Sequence, residues 1–278
     1  MKRIGLIDYY LSEWHANHYP EWIRQANEAL GTDYQIAFAW AECEISPIDG
    51  VSTDEWCEKN GVTRAESISA LCAGCDAIFI LAPSNPEKHL PYAKEAFPFA
   101  KPTFVDKTFA PSYAEALELV ELANRFGTPV FSSSALRYAE ELERFEGVKD
   151  LIITAGGNDL AEYLIHPVEM AVRLMKDQAV SAKAEQVGRC QYLLEAATAN
   201  GKSVTVVYSK RMAYTLAGEL EDGKSLYTAV RSDFFGRLTQ AIVGFFESGV
   251  APVPLTETLE VMHLCDLMLA AANEAEKR

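Results

Sequence analysis

The chain has 278 residues, of which 49% are hydrophobic and 23% charged, with a formal net charge of −15 and a pI near 4.8. That length suits one large domain or two ordinary ones, and no apolar run approaches the roughly 18 to 20 residues a bilayer span needs. The acidic balance, with no offsetting Lys/Arg cluster, argues against a nucleic-acid partner.

Met1 to Asp8 holds two basic residues and a short apolar run that Asp8 ends, so it reads as a first strand rather than a secretory leader, and a cytoplasmic location is expected. A helix is predicted from about His15 to Leu30, closed by Gly31, then a strand over Tyr34 to Trp40. Ser52 to Glu55 suits a helix start and Gly61 its stop. Asp76 to Ala82 is a continuous apolar run, as a strand buried on both faces requires. Asn85 is expected to cap the next helix with Pro86 in its first turn. A strand over Thr103 to Asp106 follows, then a capping box at Ser112 to Glu115, a helix closed by Gly127, and a strand from Pro129. Such alternation is the signature of a parallel sheet covered by helices.

Beyond about residue 150 the pattern changes to a strand at Leu151 to Thr154, a helix at Pro167 to Met175, and segments around 185–196, 203–209, 212–219 and 225–230. Asn200-Gly201 and Asp222-Gly223 favour hairpins in which both central positions take positive φ. Two helices finish the chain, Ser232 to Ser248 and Thr256 to about Glu276. The expected fold is therefore α/β: a Rossmann-like parallel-sheet domain over residues 1–131, then an α+β domain over 132–278 with a mainly antiparallel open sheet. The uncovered face of that sheet predicts a homo-oligomer.

Six cysteines, at 43, 57, 72, 75, 190 and 265, lack paired spacing and read as reduced thiols. Cys72-Ala-Gly-Cys75 has the spacing of a redox or zinc pair, yet no second Cys/His pair lies at finger spacing, and Gly74 with Asp76 suits a helix end turning into a strand. No metal site is expected.

Val105-Asp106-Lys107-Thr108, ending a parallel strand before a capped helix, resembles the Glu-Lys-Pro segment of the Gfo/Idh/MocA oxidoreductases. Asp76 to Asn85 with His89, the stretch Glu162 to Glu169 around His166, and Pro252-Val253-Pro254 before a long helix are similar to the family's elements in the same order. The resemblance implies an NAD(P)-dependent oxidoreductase acting on a sugar, polyol or similar hydroxylated small molecule. It assigns Lys107 to a substrate hydroxyl, His166 to its proton, and Glu162 or Glu169 to orienting the imidazole. The residue types suit that chemistry, since a cation lowers a hydroxyl pKa and an imidazole titrates near neutrality. Pro167 places His166 at a helix entrance.

Cofactor candidates are Asp8, Tyr9 and Tyr10 in the first turn, Glu42, or else Glu44, after the second strand, Ala82, Pro83, Ser84 and Asn85 in the loop after the central strand, and His89, Asp106 and Lys107. An acid at Glu42 disfavours a 2′-phosphate, so NAD is favoured over NADP. The family's first turn is Gly-x-Gly-x-x-Gly, and here Asp8-Tyr9-Tyr10-Leu11-Ser12-Glu13-Trp14-His15 stands in its place. Like unit charges about 4 Å apart repel by about 1 kcal/mol in water and several times that when partly buried. A non-redox derivative of the fold, either a ligand-binding or sensing protein or a lyase or isomerase, is the alternative expectation.

Overall fold

A computed structural model describes residues 1–277. The chain divides into two compact units, Met1–Ser133 with Phe235–Leu255, and Ser134–Phe234 with Thr256 onward.

The first unit is built on six parallel strands: β1 (Lys2–Asp8), β2 (Tyr34–Ala41), β3 (Thr63–Arg64), β4 (Ala77–Ile80), β5 (Thr103–Val105) and β6 (Val130–Phe131). Their order is β3-β2-β1-β4-β5-β6, so the chain reverses its direction of travel across the sheet between β1 and β4. In open sheets of this kind the crevice at such a reversal, beyond the strands' C-terminal ends, is the ligand position. Ile4, Leu6, Ile7, Ile78, Phe79, Ile80, Phe104 and Val105 have no exposed surface, which explains why these strands are apolar on both faces. The helices are α1 (Trp14–Leu30), α2 (Thr53–Asn60), α3 (Ile68–Gly74), α4 (His89–Ala96) and α5 (Tyr113–Phe126). Gly5 lets α3 press on β1, for a Cβ there would collide with Leu71 and approach Cys75.

Local signals hold at several ends. Gly31, Gly61 and Gly127 close α1, α2 and α5 in the left-handed conformation. The full capping box is at Ser52 and Glu55; at α5 the side chain of Ser112 accepts from the Glu115 amide. Asn85 differs from expectation: its side chain donates to Glu87 Oε1 at 3.0 Å, caps no helix, and precedes a 3₁₀ turn at Pro86–Lys88. Cys72 and Cys75 mark the end of α3; burial pushes the Cys72 thiol up to about 12, which suits packing rather than thiolate chemistry.

The second unit carries the mixed sheet β12-β11-β7-β10-β9-β8, formed by β7 (Val148–Ala155), β8 (Ala179–Gly188), β9 (Gln191–Thr198), β10 (Ser203–Ser209), β11 (Thr215–Leu220) and β12 (Ser225–Ala229). All neighbours are antiparallel except β7 and β10. The hairpin between β8 and β9 divides a stretch expected to be one segment, and Cys190 takes a positive φ of 54° to make it. At the Asn200-Gly201 and Asp222-Gly223 turns only the glycines have positive φ, 80° and 81°, so these are not the doubly left-handed turns the dipeptides suggest. Helices α6 (Leu160–Tyr163), α7 (Ile165–Met175) and α9 (Leu255–Ala275) complete this unit.

Helix α8 (Phe234–Ser248) comes after the second unit's strands in the chain, yet from Phe235 onward it belongs to the first compact unit. Phe235 stacks on Trp22 with ring centroids 4.7 Å apart, Phe245 meets Phe131 at 5.8 Å, and Phe246 meets Phe79 at 5.4 Å. An aromatic face of that size is buried most effectively against the sheet's own aromatic side chains. No described helix is long and apolar enough to cross a membrane.

Candidate active site

The loops after β1, β4 and β5 converge at the reversal point of the first unit's sheet. Asp8 ends β1 almost wholly buried, and its Oδ1 accepts the amides of Tyr9 at 2.7 Å and Ala82 at 3.0 Å. Its Oδ2 is buried without a hydrogen-bond partner. Burial, with Glu13 nearby, raises the Asp8 pKa well above the usual carboxylate range. Ala82 adopts φ 49°, and the next carbonyl, of Pro83, accepts from Lys107 Nζ at 2.9 Å. Asp106 Oδ1 accepts from the Lys107 amide at 2.8 Å, and Lys107, at the end of β5, is only 8% exposed. The sequence-chosen residues Asp8, Tyr9, Ala82, Pro83, Asp106 and Lys107 are thus brought to one place.

The other candidates have separate engagements. Glu42 is met by Lys88 Nζ at 2.5 Å and by the Tyr92 hydroxyl at 2.8 Å, and these lower its pKa. Lys88 also lies 5.0 Å from the Tyr9 ring, which stands edge-on to Tyr10. Ser84 and Asn85 continue the loop after β4. His89 is fully buried with its ring nitrogens 2.5 Å from Leu81 O and 3.1 Å from Phe109 O, so it ties two loops together from inside; burial lowers its pKa.

In the second unit, His166 lies within the first turn of α7, with Leu164 between α6 and α7 also helical, so Pro167 does not hold it outside the helix. Proline is tolerated there because the first-turn amides have no intrahelical partner. Ser134 Oγ is 2.7 Å from His166 Nδ1. Glu169 accepts from the Ser134 amide at 3.0 Å and pairs with Arg137 at 3.0 Å, so it reaches the imidazole through Ser134. Arg137 also pairs with Glu257. Glu162 sits in α6, its amide bonded to Asp159 Oδ1 at 3.2 Å.

The residue that sequence reasoning passed over is His15. Its Nδ1 is paired with Asp106 Oδ2, a partner 91 positions away. Burial alone would lower the imidazole pKa, but the contact with Asp106 outweighs it and the pKa is raised; burial would likewise raise Asp106, and the imidazole holds it below the usual range. The only local signal was an acid-x-His run opening the first helix, which specifies no partner.

The same turn decides whether the fold's dinucleotide fits. In this architecture the diphosphate rests on the first helix's N-terminal amides. Here Glu13 caps α1, its carboxylate accepting from the His15 amide at 2.7 Å and from the Ala16 amide. The turn is closed further by Cys43 N donating to Tyr9 O at 2.8 Å, Ser46 Oγ to Ser12 O at 2.9 Å, and Ser12 Oγ to Asp49 at 2.7 Å. A carboxylate therefore occupies the diphosphate's seat, with Asp8 and Asp106 close behind it. These residues do not fit NAD(P) in the fold's usual pose.

No protein-family model and no curated protein matches the sequence. Solved structures do. UDP-N-acetylglucosamine 3-dehydrogenase GnnA from Acidithiobacillus ferrooxidans superimposes with a TM-score of 0.80 at 13% identity, covering 100% of this chain and 99% of its own. Myo-inositol dehydrogenase from Lactobacillus casei, solved with NAD(H) and myo-inositol, gives 0.77 at 14%, covering 100% and 95%. The chain has the fold of the Gfo/Idh/MocA-type dehydrogenases. Biliverdin reductase from Synechocystis sp. PCC 6803, solved with biliverdin and NADP+, shares it at a TM-score of 0.69 and 17% identity over 97% of this chain and 98% of its own.

Proposed function

We propose that this chain is an enzyme of the dehydrogenase fold that acts on a sugar, polyol or similar hydroxylated small molecule through Lys107, without NAD(P) in the pose this fold uses. One juxtaposition carries the reading: a nearly buried ammonium at the sheet's reversal point, beside a helix terminus already filled by Glu13. An ammonium there favours the deprotonated form of a bound hydroxyl and so lowers its pKa. His166 is the second unit's proton-transfer group in this reading, oriented by Ser134, with Glu162 one helical turn before it. The reaction class is a lyase or isomerase, in which acid–base chemistry suffices.

A second reading, an NAD(P)-dependent oxidoreductase with the cofactor held differently, is favoured by fold likeness along the whole chain to dehydrogenases solved with such cofactors. NAD is then preferred to NADP, because Glu42 ends the second strand's extension where a 2′-phosphate would be repelled.

Calorimetric titration of NAD+, NADH, NADP+ and NADPH separates the two. The first reading expects no binding at millimolar concentration by the wild type and a gain of at least about tenfold in Glu13→Gly, which frees two amides and removes a negative charge. Micromolar binding of any of the four by the wild type overturns it and establishes the second. A thermal-shift screen with myo-inositol, D-glucose and D-fructose tests the substrate class, which fails if none raises the melting temperature.

A further inference from the structure

We infer that His15, oriented by Asp106, is a proton-accepting group of the first unit's site and takes its proton from a hydroxyl of a ring-shaped polyol or sugar. This deepens the proposal above and rests on it. The pair has the geometry of an imidazole prepared for general-base work. Asp106, buried at the end of β5, holds Nδ1, which fixes the neutral tautomer with the proton on that nitrogen and leaves the lone pair on Nε2. Nε2 has no hydrogen-bond partner among the described residues and is not among the buried orphan atoms, and the side chain keeps 13% of its surface exposed. A structural histidine of the kind His89 represents has both nitrogens engaged; His15 has one held and one open.

Its surroundings fit such a ligand. The ionisable groups that bear on it are Asp106, Glu13 and Lys107, and the rings around it are Trp14 at 5.3 Å, Phe235 at 6.1 Å and Tyr19 at 6.3 Å between centroids. Trp14 is 50% exposed, so part of an aromatic ring is open to water with its centroid 5.3 Å from that of the imidazole. Pyranose and cyclitol rings present C–H faces that pack on aromatic side chains while their hydroxyls seek polar partners. In the step proposed, the ligand's O–H bond breaks and an N–H bond forms at Nε2. The imidazolium charge is balanced by Asp106, and the charge left on oxygen by the Lys107 ammonium.

The test is an NMR titration of the full chain labelled with 15N-histidine, in which myo-inositol, D-glucose and D-fructose are added while the ring resonances of all five histidines are followed. Calorimetry of any binder in buffers of different ionisation enthalpy accompanies it. The inference expects the neutral His15 ring to carry its proton on Nδ1, a ligand to shift Nε2, and binding to be linked to proton transfer. His15→Asn should abolish that linkage and weaken binding about tenfold, the loss of one hydrogen bond to a charged group. Asp106→Asn keeps the imidazole and should retain binding while moving the pH profile, an effect a purely structural pair would not produce. If compounds bind but perturb His166 and not His15, or if both variants keep the wild-type proton linkage, the inference falls and the broader reading survives. If no compound binds by any of these measurements, both fall.

Discussion

Two turns of the same sheet, the one after β1 and the one after β5, have taken opposite courses. The β5 turn has an acid followed by lysine, and the lysine reaches across to the loop after β4, its Nζ donating to Pro83 O at 2.9 Å. The β1 turn keeps the helix start but replaces the small residues that would let a ligand approach it: Glu13 caps the helix, and Ser12, Tyr9 and Ser46 fasten the loop to the chain beyond β2. One sheet can therefore hold a nearly buried lysine beyond one strand end while a carboxylate caps the helix that follows another. The turns are also coupled, since His15 of the first pairs with Asp106 of the second.

Breaking that coupling should have the largest effect. Asp106→Asn leaves a buried imidazole that has lost its counter-charge, and should cost about 3 kcal/mol in urea unfolding at pH 6, because removing one partner of a buried pair strands the other. Its pH dependence follows from both shifts. The Asp106 pKa is depressed, so its contribution is lost as pH falls through that folded value; the His15 pKa is raised, so its contribution is lost as pH rises above the free-histidine range through its folded value. The penalty should be greatest between those limits and shrink on either side; a pH-independent penalty contradicts the pairing.

Glu13→Ala should cost about 1 kcal/mol, as expected for a lost helix cap, measured by thermal unfolding at pH 7. Ser12→Ala removes one hydrogen bond from the loop to Asp49, with an expected loss of about 0.5 to 1 kcal/mol. Asp8→Asn should be nearly neutral at about pH 3, below the free carboxylate range, and increasingly favourable as the pH is raised to 8. The folded Asp8 pKa is raised, so the wild type loses stability as pH climbs from the unfolded pKa towards the folded one, whereas Asn can still accept the Tyr9 and Ala82 amides. Equal pH profiles for wild type and Asp8→Asn would show that this carboxyl does not titrate as its burial requires.

What the sequence disclosed follows from which interactions are local. The parallel sheet, the glycine-closed helices and the antiparallel second sheet are written in periodicity and turn residues, and the structure has them. The acid-lysine pair after β5 was legible because a strand end followed by a capped helix is a short pattern. His15 was not, because its significance depends on Asp106, which only the strand order brings alongside. The β8–β9 hairpin was missed because Cys190, a residue with no preference for positive φ, makes the turn. The placement of α8 was missed for a related reason: an amphipathic helix announces that it will be buried, but its partners, Trp22, Phe79 and Phe131, lie more than a hundred residues earlier.

That helix also governs how the chain can be taken apart. Because residues 235–255 return to the first unit after a hundred-residue excursion through the second, the polypeptide passes from one unit to the other three times. Truncation at residue 133 would strip the first unit's parallel sheet of one of its covering helices and uncover Phe79 and Phe131, so such a fragment should aggregate. A chain in which a short linker joins residue 133 directly to residue 235 retains every strand and helix of the first unit, and is the form in which that half should be obtained alone.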